Sequence, residues 1–321
     1  MNISIIASQL NLKVIGDKNA KIYSVSSHDN PKPESVVLIT KKKFLTKTLV
    51  DSNAVIMTYP EFQELLLGNN LILSSNPQLS FAKLTKLLNN NQRLDYTYFN
   101  SSNSSYVHGR NLNLGKNTQV GFNVVFEENV SIGEDCVIGH NVVIHKNVSI
   151  GNNVFIDSGT IIGSEGFGNV LSEDFEWSHV FHVGKVIIGN NVMIGANCSI
   201  DRGTIDDTVI EDGAIIDNQV HIAHNVLIGE DTAIAANVGI AGSCKIGKRN
   251  MIGGMVGIID HIRTVDDVVI TATSSVIKDI KEPGVYSGVM PISKHSAWKR
   301  IAFWISKLDK IVSINKLKTK S

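Results

Sequence analysis

A branched apolar or aromatic residue recurs at every sixth position through two long stretches of the chain, residues 120–162 and 210–258. A period of six matches neither the 3.6-residue period of an α-helix nor the two-residue period of a plain strand, and it is typical of a solenoid of short strands and turns. The pattern therefore predicts a parallel β-helix built from hexapeptide repeats. The recurring positions are Val120, Phe126, Ile132, Ile138, Ile144, Ile150, Ile156 and Ile162, then Ile210, Ile216, Ile222, Ile228, Ile234, Ile240, Ile246, Ile252 and Ile258.

The residues around each recurring position predict how one repeat is built. Two residues earlier lies a small or β-branched residue, such as Val124 or Ala214, which completes an inward-facing pair. Three residues later most repeats have Asn or Asp, which tolerate left-handed backbone angles and so favour corners. If three repeats close one triangular coil, residues that are three repeats apart stack on neighbouring coils, about 4.7–4.9 Å apart.

The remainder of the chain lacks this period and defines the domain organisation. Residues 1–100 combine strand-like stretches (36–40, 54–58 and 71–73) with a helix that begins at Asn76 and Pro77, which predicts a small α/β domain. The polar residues 100–105 are a candidate linker. We assign the β-helix to residues 106–280 and a basic helical segment to residues 284–321.

The period is interrupted twice inside the predicted solenoid. Residues 164–185 form an excursion too long for a corner, and long loops in compact domains tend to be functional. A second interruption between Ile200 and Ile210 adds four residues around Asp201, Arg202 and Gly203. These two segments are therefore candidates for a binding or catalytic site.

Composition favours a soluble chain without disulfides. No apolar run reaches the roughly 18 residues that a membrane span needs, and the N-terminus lacks the features of a signal peptide, so we expect a cytoplasmic protein with no transmembrane segment. Each of the three cysteines (Cys136, Cys198 and Cys244) falls on a small inward position and is expected to pack in the core.

Lys and Arg balance Asp and Glu at 30 each, but the basic residues cluster near the C-terminus. Beyond Gly284 the only acidic residue is Asp309, which predicts a basic patch and an acidic partner. The same segment spaces apolar residues by three and four positions, which predicts a short coiled-coil seam and self-association. The basic residues are Lys294, Lys299, Arg300, Lys307, Lys310, Lys316, Lys318 and Lys320; the seam residues are Trp298, Ile301, Ile305, Leu308 and Val312.

His224 and Gly242 each follow a recurring isoleucine by two positions and are separated by three repeats, which is one full coil. We therefore expect them to stack on adjacent coils. An imidazole beside an unobstructed glycine amide is the pairing that acyl transfer needs, because the imidazole is a base and the amide a donor to the developing oxyanion. His261 follows His224 by two coils and one further position, so it is expected about 10 Å further along the same edge. A corner histidine is also commonly an ordinary solvated turn residue.

Two further residues lie near His224 in the repeat. His221 should point outward close to His224, as an orienting neighbour, a substrate donor or an ordinary surface residue. Asp217 lies one repeat earlier, on a different face unless the corner folds it back, and is either an orienting carboxylate for the imidazole or a corner residue.

The sequence argues against a metal site and a nucleotide loop. His140 and His145 have the spacing of a zinc-binding pair, but the offset from His108 to His140 is not a whole number of coils, so His108 falls out of register as a third ligand. Residues 163–168 are rich in glycine but lack the strand-to-helix context and the Lys-Ser or Lys-Thr ending of a phosphate-binding loop.

Five motifs resemble those of the UDP-3-O-acylglucosamine N-acyltransferases of lipid A synthesis. They are IGSEGFG at 162–168, IDRG at 200–203, IDNQ at 216–219, IAHN at 222–225 and EPGVY at 282–286. The resemblance extends over most of the chain and includes the helix start at Asn76. It implies a mainly β protein, a left-handed parallel β-helix with a small N-terminal α/β domain that binds uridine nucleotide and a C-terminal helix, assembled as a homotrimer.

The resemblance also implies a reaction and roles for individual residues. A 3-hydroxyacyl chain would move from the phosphopantetheine of acyl carrier protein to the 2-amine of UDP-3-O-acyl-glucosamine, without another cofactor and without nucleic acid. His224 would be the general base, Gly242 the oxyanion donor and His261 a second groove histidine. We expect substrate-binding roles for His221, Asp217, Asn218, Phe44 and Leu38 beside His261. We expect partner-binding roles for the basic residues Lys278, Arg249, Lys299 and Arg300.

Departures from the family pattern keep two alternatives open. Leu38 stands where the family has one of two aromatic residues that stack on uracil, and His221 replaces a usual glutamine. The alternatives are transfer of an acyl or acetyl group to a hydroxyl of another nucleotide sugar, and a weakly active paralogue that serves as a trimeric binding protein. Acyl chain length, the affinity for uridine nucleotide and the role of His221 are open at this point.

Overall fold

The structure, a computed structural model, describes residues 1–88, 106–288 and 292–308 of the 321-residue chain. The chain divides into two compact units, Met1–Asp95 and Tyr96–Ser321. The candidate linker at 100–105 and the seam residue Val312 lie outside the described residues, as do Lys310, Lys316, Lys318 and Lys320 of the basic patch. Within the described ranges, no helix combines the length and apolar character needed to cross a membrane.

The first unit is a five-stranded sheet with helices, as an α/β pattern of residues predicts. The sheet order is β1-β5-β4-β3-β2, with β1 antiparallel to β5 and the other pairs parallel. Asn76 caps α3, because its Oδ1 accepts the N–H of Leu79 at 3.1 Å. The elements are α1 Ile3–Leu10, β1 Lys13–Ile15, β2 Ser24–Val25, β3 Ser35–Ile39, a 3₁₀ turn Lys42–Phe44, α2 Lys47–Val50, β4 Val55–Thr58, a 3₁₀ segment Pro60–Leu66, β5 Leu71–Leu73 and α3 Pro77–Leu88.

The second unit is a left-handed parallel β-helix, which confirms the fold predicted from the repeats. Short strands form three parallel sheets, faces 1, 2 and 3, and successive repeats visit them in turn. Within one face, paired residues are three repeats apart wherever the period is unbroken; Ile222, for instance, pairs with Ile240, which pairs with Ile258. Because of this register, the sequence separation of two residues predicts whether they lie on neighbouring coils of the same face.

The strands are numbered along the chain. Face 1 consists of β6 Tyr106–His108, β9 Val124–Phe126, β12 Val143–Ile144, β15 Ile161–Ser164, β20 Ser199–Asp201, β23 His221–Ile222, β26 Gly239–Ile240, β29 Gly257–Ile258 and β31 Ser275–Val276. Face 2 consists of β7 Asn113–Leu114, β10 Ser131–Ile132, β13 Ser149–Ile150, β18 Val186–Ile188, β21 Thr208–Ile210, β24 Leu227–Ile228 and β27 Lys245–Ile246. Face 3 consists of β8 Gln119–Val120, β11 Val137–Ile138, β14 Phe155–Ile156, β19 Met193–Ile194, β22 Ile215–Ile216, β25 Ala233–Ile234, β28 Met251–Ile252, β30 Val268–Ile270 and β32 Gly284–Tyr286.

The recurring residues fill the interior of the coils. The core of the solenoid is a single cluster of Ile and Val with Phe126, and the three cysteines are buried in it as predicted. Burial raises the pKa of all three thiols, that of Cys244 to about 11. The cysteines are therefore packing residues, held as neutral thiols at physiological pH.

The corners adopt the left-handed conformation that Asn and Asp favour. Positive φ angles occur at the predicted positions, from Asn117 at 58° to Asn237 at 61°. Stacked corner side chains bond between coils; for example, the amide of Asn111 donates to Asn129 and that of Asn129 to Asn147. Toward the C-terminal end the same position is occupied by other residues, including His261 with φ 60°.

Both interruptions of the repeat leave the coil and return to it. The first carries an antiparallel hairpin, β16 Asn169–Leu171 and β17 Trp177–His179. The second, after Asp201, is anchored by the buried guanidinium of Arg202, which donates to the carbonyls of Gly163 and Lys146. Beyond the coils, α4 spans His295–Ile305 and exposes Trp298, Ile301 and Ile305.

Candidate active site

His224 lies at the corner that leaves β23 on face 1, stacked against Gly242 on the next coil. A Cβ added to Gly242 would lie 2.5 Å from Cε1 and 2.7 Å from Nε2 of His224. The spacing of three repeats therefore brings the two residues into direct contact, as expected from the sequence. Glycine is required at position 242 because any side chain would occupy the space of the imidazole.

Hydrogen bonds on one side of the ring orient the imidazole of His224. Its Nδ1 lies 3.0 Å from Oδ1 of Asn225 and 3.2 Å from Oγ1 of Thr204. The side-chain amide of Asn225 is itself fixed, because its Nδ2 donates to the carbonyl of Asp206 at 2.6 Å. Oδ1 of Asn225 is thus an acceptor, so the proton of the neutral ring resides on Nδ1 and Nε2 carries the free lone pair.

The backbone N–H of Gly242 makes no hydrogen bond to any described residue, although its carbonyl accepts the N–H of His261 at 2.9 Å. At many other corners a side chain of the following coil caps the N–H at this position. Asn152 caps Glu134 at 2.8 Å, for example, and Asp266 caps Lys248 at 2.9 Å. The amide of Gly242 is therefore an available donor next to the free Nε2 of His224.

These two groups open onto a groove of about 750 Å³ along face 1. Gly239 and Gly257 form its floor on successive coils, and a Cβ added to either would meet nothing within 4 Å. His221, Asp260 and His261 also line the groove. The glycines leave an open, mainly apolar channel that begins beside the reactive groups and runs toward the C-terminal coils.

The excursion at 164–185 closes the opposite side of the site. Oγ of Ser164 donates to Oδ1 of Asp201 at 2.7 Å, and Glu165 bonds Nε2 of His179 at 2.6 Å. The two bonds fix Ser164 and Glu165 at the start of the excursion. Phe167, two residues further on, lines the groove and has 78% of its surface exposed. The excursion is thus part of the site, as its length suggested.

His182 lies in the first interruption, which the sequence marks as a candidate site without giving this residue a role. Its ring is buried and packs edge to face on His224, with centroids 5.3 Å apart and an interplanar angle of 77°. Nδ1 of His182 lies 3.0 Å from the carbonyl of Val180, so the ring is held in one orientation. Thr204 and Asn225 were also missed. Their only signal was position, since Asn225 follows His224 and Thr204 lies in the second interruption.

Asp217 and Asn218 do not reach the imidazole. They lie at the corner that enters β23, whereas His224 lies at the corner that leaves it. Oδ1 of Asp217 accepts the N–H of Asn218 at 2.7 Å, and Oδ1 of Asn218 accepts the N–H of Ala196 at 2.7 Å. Among the described residues, Asp217 is thus a corner-capping residue rather than the orienting partner of His224.

The residues expected to bind uracil lie in the first unit. Leu38 is half-buried on β3, and Phe44 ends the 3₁₀ turn that follows it. The ring of Phe44 contacts His28, with centroids 4.2 Å apart, and Nζ of Lys43 lies 5.1 Å from its centroid. An aromatic ring with a histidine and a lysine beside it is therefore present at this point of the unit.

The basic residues proposed for partner binding differ in availability. Lys278, Lys299 and Arg300 are exposed. Arg249 instead forms a two-pronged ion pair with Asp267, with Nε and one terminal nitrogen each 2.8 Å from a carboxylate oxygen. This pairing raises the pKa of Arg249 and lowers that of Asp267. The charge of Arg249 is therefore already matched within the chain.

Comparisons with known proteins identify the family of the chain. The chain matches the Bacterial transferase hexapeptide (six repeats) family over residues 111–146 and 207–242. It is 42% identical over 156 residues to UDP-3-O-acylglucosamine N-acyltransferase of Hahella chejuensis, an alignment that spans 49% of this chain and only 44% of that protein. It is 34% identical over 319 residues to the protein of the same name from Coxiella burnetii, across 93% of this chain and 92% of the relative.

Solved structures share the solenoid. The UDP-N-acetylglucosamine O-acyltransferase of Moraxella catarrhalis superposes with a TM-score of 0.53 at 26% identity, over 58% of this chain and 70% of that one. The UDP-N-acetylglucosamine acyltransferase of Francisella novicida superposes with a TM-score of 0.53 at 25% identity, over 67% and 78%. Because the Coxiella alignment extends over nearly both whole sequences, the chain belongs to the family of acyltransferases named UDP-3-O-acylglucosamine N-acyltransferase.

Proposed function

We propose that this acyltransferase moves a 3-hydroxyacyl chain from the thioester of acyl carrier protein to the 2-amine of UDP-3-O-acyl-glucosamine, in lipid A biosynthesis. One observation carries the proposal: the free Nε2 of His224 and the uncapped N–H of Gly242 meet at the head of an apolar groove. The names of the relatives from Hahella and Coxiella support the acceptor.

The chemistry requires one base and one oxyanion donor. Nε2 of His224 removes a proton from the amine as the nitrogen attacks the thioester carbonyl carbon. The N–H of Gly242 stabilises the negative oxygen of the tetrahedral intermediate. Collapse of the intermediate forms the amide and breaks the C–S bond, and the imidazolium returns its proton to the leaving thiolate. Asn225 and Thr204 keep the ring in the tautomer that this cycle needs.

The proposal assigns the remaining features to binding. The acyl chain occupies the channel over Gly239 and Gly257, and Phe44 with Leu38 binds the uracil ring. Exposed Lys278, Lys299 and Arg300 attract the acidic carrier protein, whose phosphopantetheine brings the acyl group, so no other cofactor is needed. The exposed apolar side of α4 is consistent with assembly as a homotrimer.

The product of the reaction tests the proposal. Purified protein is incubated with carrier protein loaded with a 3-hydroxyacyl chain and with UDP-3-O-acyl-glucosamine, and the product is analysed by mass spectrometry before and after hydroxylamine treatment. Hydroxylamine removes the acceptor's own 3-O-ester and any new ester but leaves a new amide in place. Amide product supports the proposal. An ester would indicate O-acylation of a nucleotide sugar, and no product would indicate a binding protein.

His224→Ala tests the assignment of the base. We expect kcat/KM to fall about 100-fold or more, because the amine loses its proton acceptor. His108→Ala is the matched control, since β6 is the first strand of face 1 and lies five strands away from β23. A His224→Ala variant that kept most of the rate would contradict the role of the imidazole.

A further inference from the structure

A second pair of polar groups lines the groove, and the transfer mechanism uses neither of them. Asp201 ends β20 and His221 begins β23, the neighbouring strand of face 1. Nε2 of His221 lies 3.7 Å from Oδ2 of Asp201. Asp201 is 5% exposed, so its carboxylate is held almost out of water, whereas half of the His221 side chain is open to the groove.

The spacing between these two groups indicates a shared ligand. Their separation is too long for a direct hydrogen bond. One oxygen atom can, however, lie within hydrogen-bond distance of both Nε2 and Oδ2. Such an oxygen would accept from the imidazole and donate to the carboxylate, which is what a hydroxyl group does. Oδ1 of Asp201 is occupied by Ser164, whereas Oδ2 receives no hydrogen bond from the described residues.

The pair is close to the reacting groups. Ile200 pairs with Ile222, so Asp201 lies one strand spacing, about 4.8 Å, from Ala223, which precedes His224. On its other side His221 pairs with Gly239, the first glycine of the groove floor. His221 and Gly239 both line the groove, and the space above Gly239 is open, since a Cβ added there would meet nothing within 4 Å.

We propose that Asp201 and His221 bind the 3-hydroxyl of the transferred acyl chain and select donors that carry it. This inference rests on the proposed function. The hydroxyl of a 3-hydroxyacyl thioester is on the second carbon beyond the carbonyl, so it lies close to the oxyanion donor Gly242 whenever the carbonyl does. The acceptor sugar has no free hydroxyl on either carbon next to the amine, because these carbons carry a phosphate and an ester.

Paired donors test the inference. Carrier protein loaded with a 3-hydroxyacyl chain or with the same chain lacking the hydroxyl is used with one acceptor, and the ratio of the two kcat/KM values is measured. We expect the wild-type protein to favour the hydroxylated donor by about tenfold or more, because loss of the hydroxyl leaves a desolvated carboxylate oxygen without a donor. His221→Leu and Asp201→Asn should each lower the ratio to about threefold or less.

The conservative variant and two controls make the result specific. His221→Gln retains a side-chain donor and should preserve part of the ratio. Lys245→Gln, on the exposed side of face 2, should leave the ratio at the wild-type value. The second control compares the usual acceptor with one whose own 3-O-acyl chain lacks a hydroxyl. If His221→Leu changed discrimination between acceptors instead of donors, the pair would bind the acceptor and the assignment would be wrong.

The failure of this inference is distinguishable from that of the proposed function. If neither donor gave an amide with the wild-type protein, the proposed function would fail. If both donors gave amide at equal rates, or if the ratio persisted in both His221→Leu and Asp201→Asn, the transfer reaction would stand and the hydroxyl site would be excluded.

Discussion

The imidazole of His224 and the backbone of Gly242 occupy adjacent coils with no space for a side chain between them, since a Cβ on residue 242 would lie 2.5 Å from Cε1 of the ring. The base and the oxyanion donor are therefore fixed relative to each other by the stacking of the coils. A loop that positioned either group independently would give less accurate alignment.

Gly242→Ala should lower kcat/KM about 100-fold while leaving the N–H of residue 242 in place, because the new methyl group displaces the imidazole by about 1 Å from its working position. Steady-state kinetics with purified variant would measure this. Gly254→Ala is the matched control, since Gly254 has the same place in its repeat and its added Cβ would come no closer than 3.3 Å to any neighbour, the carbonyl oxygen of Ala236. Equal activity of both variants would show that the contact is not required.

Asn225→Ala should lower kcat/KM by about tenfold or more, because the imidazole of His224 loses the acceptor 3.0 Å from Nδ1 that holds its proton on that nitrogen. Steady-state kinetics with the purified variant would measure this. Asn237→Ala changes the same corner position on another face and should keep the wild-type rate. Equal rates in the two variants would contradict an orienting role for Asn225.

Gly257→Leu should shorten the acyl chains that the enzyme accepts without reducing its thermal stability. The added Cβ meets nothing within 4 Å, so the side chain enters the groove and does not strain the coil. A series of carrier-bound donors of increasing length would show kcat/KM decreasing for long chains and preserved for short ones. A uniform decrease across the series would indicate that the chain does not lie on Gly257.

Asp201→Asn should raise the melting temperature at neutral pH. Burial raises the pKa of Asp201 above its usual value of 3.8, so the folded state disfavours the ionised form. Ionisation therefore destabilises the folded protein progressively as pH rises from the ordinary carboxyl pKa through the raised one, and asparagine removes this cost. The stabilisation should be largest near neutral pH and shrink toward about pH 4. An identical difference at both pH values would contradict an electrostatic origin.

The repeat made the fold and the centre of the site predictable. Because each residue in the coils has a register partner three repeats away, the contact of His224 with Gly242 followed from counting, and so did the burial of Cys136, Cys198 and Cys244. The period gives the face of the solenoid on which a residue lies and whether its side chain points inward or outward. These two properties determine which residues stack on each other in a solenoid.

The partners of His224 could not be obtained in this way. Thr204 lies in the second interruption and His182 in the first, where the chain leaves the coil and the register no longer fixes its path. Asp217 illustrates the converse limit: it is close to His224 in sequence and carries a suitable charge, but the two residues lie at opposite ends of one side of the triangle. The repeat places Asn225 at a corner beside His224, but it does not show which side chains there bond to the ring.

The uncapped amide of Gly242 has a consequence for how such sites arise. Elsewhere in the solenoid the same amide is closed by one side chain from the following coil, as Asn218 closes that of Ala196 at 2.7 Å. Backbone donors thus recur at the corners, and one is available to a ligand wherever the residue of the following coil leaves it uncapped, as Asp260 leaves Gly242 among the described residues. A histidine on the adjacent coil then completes a pair of base and oxyanion donor.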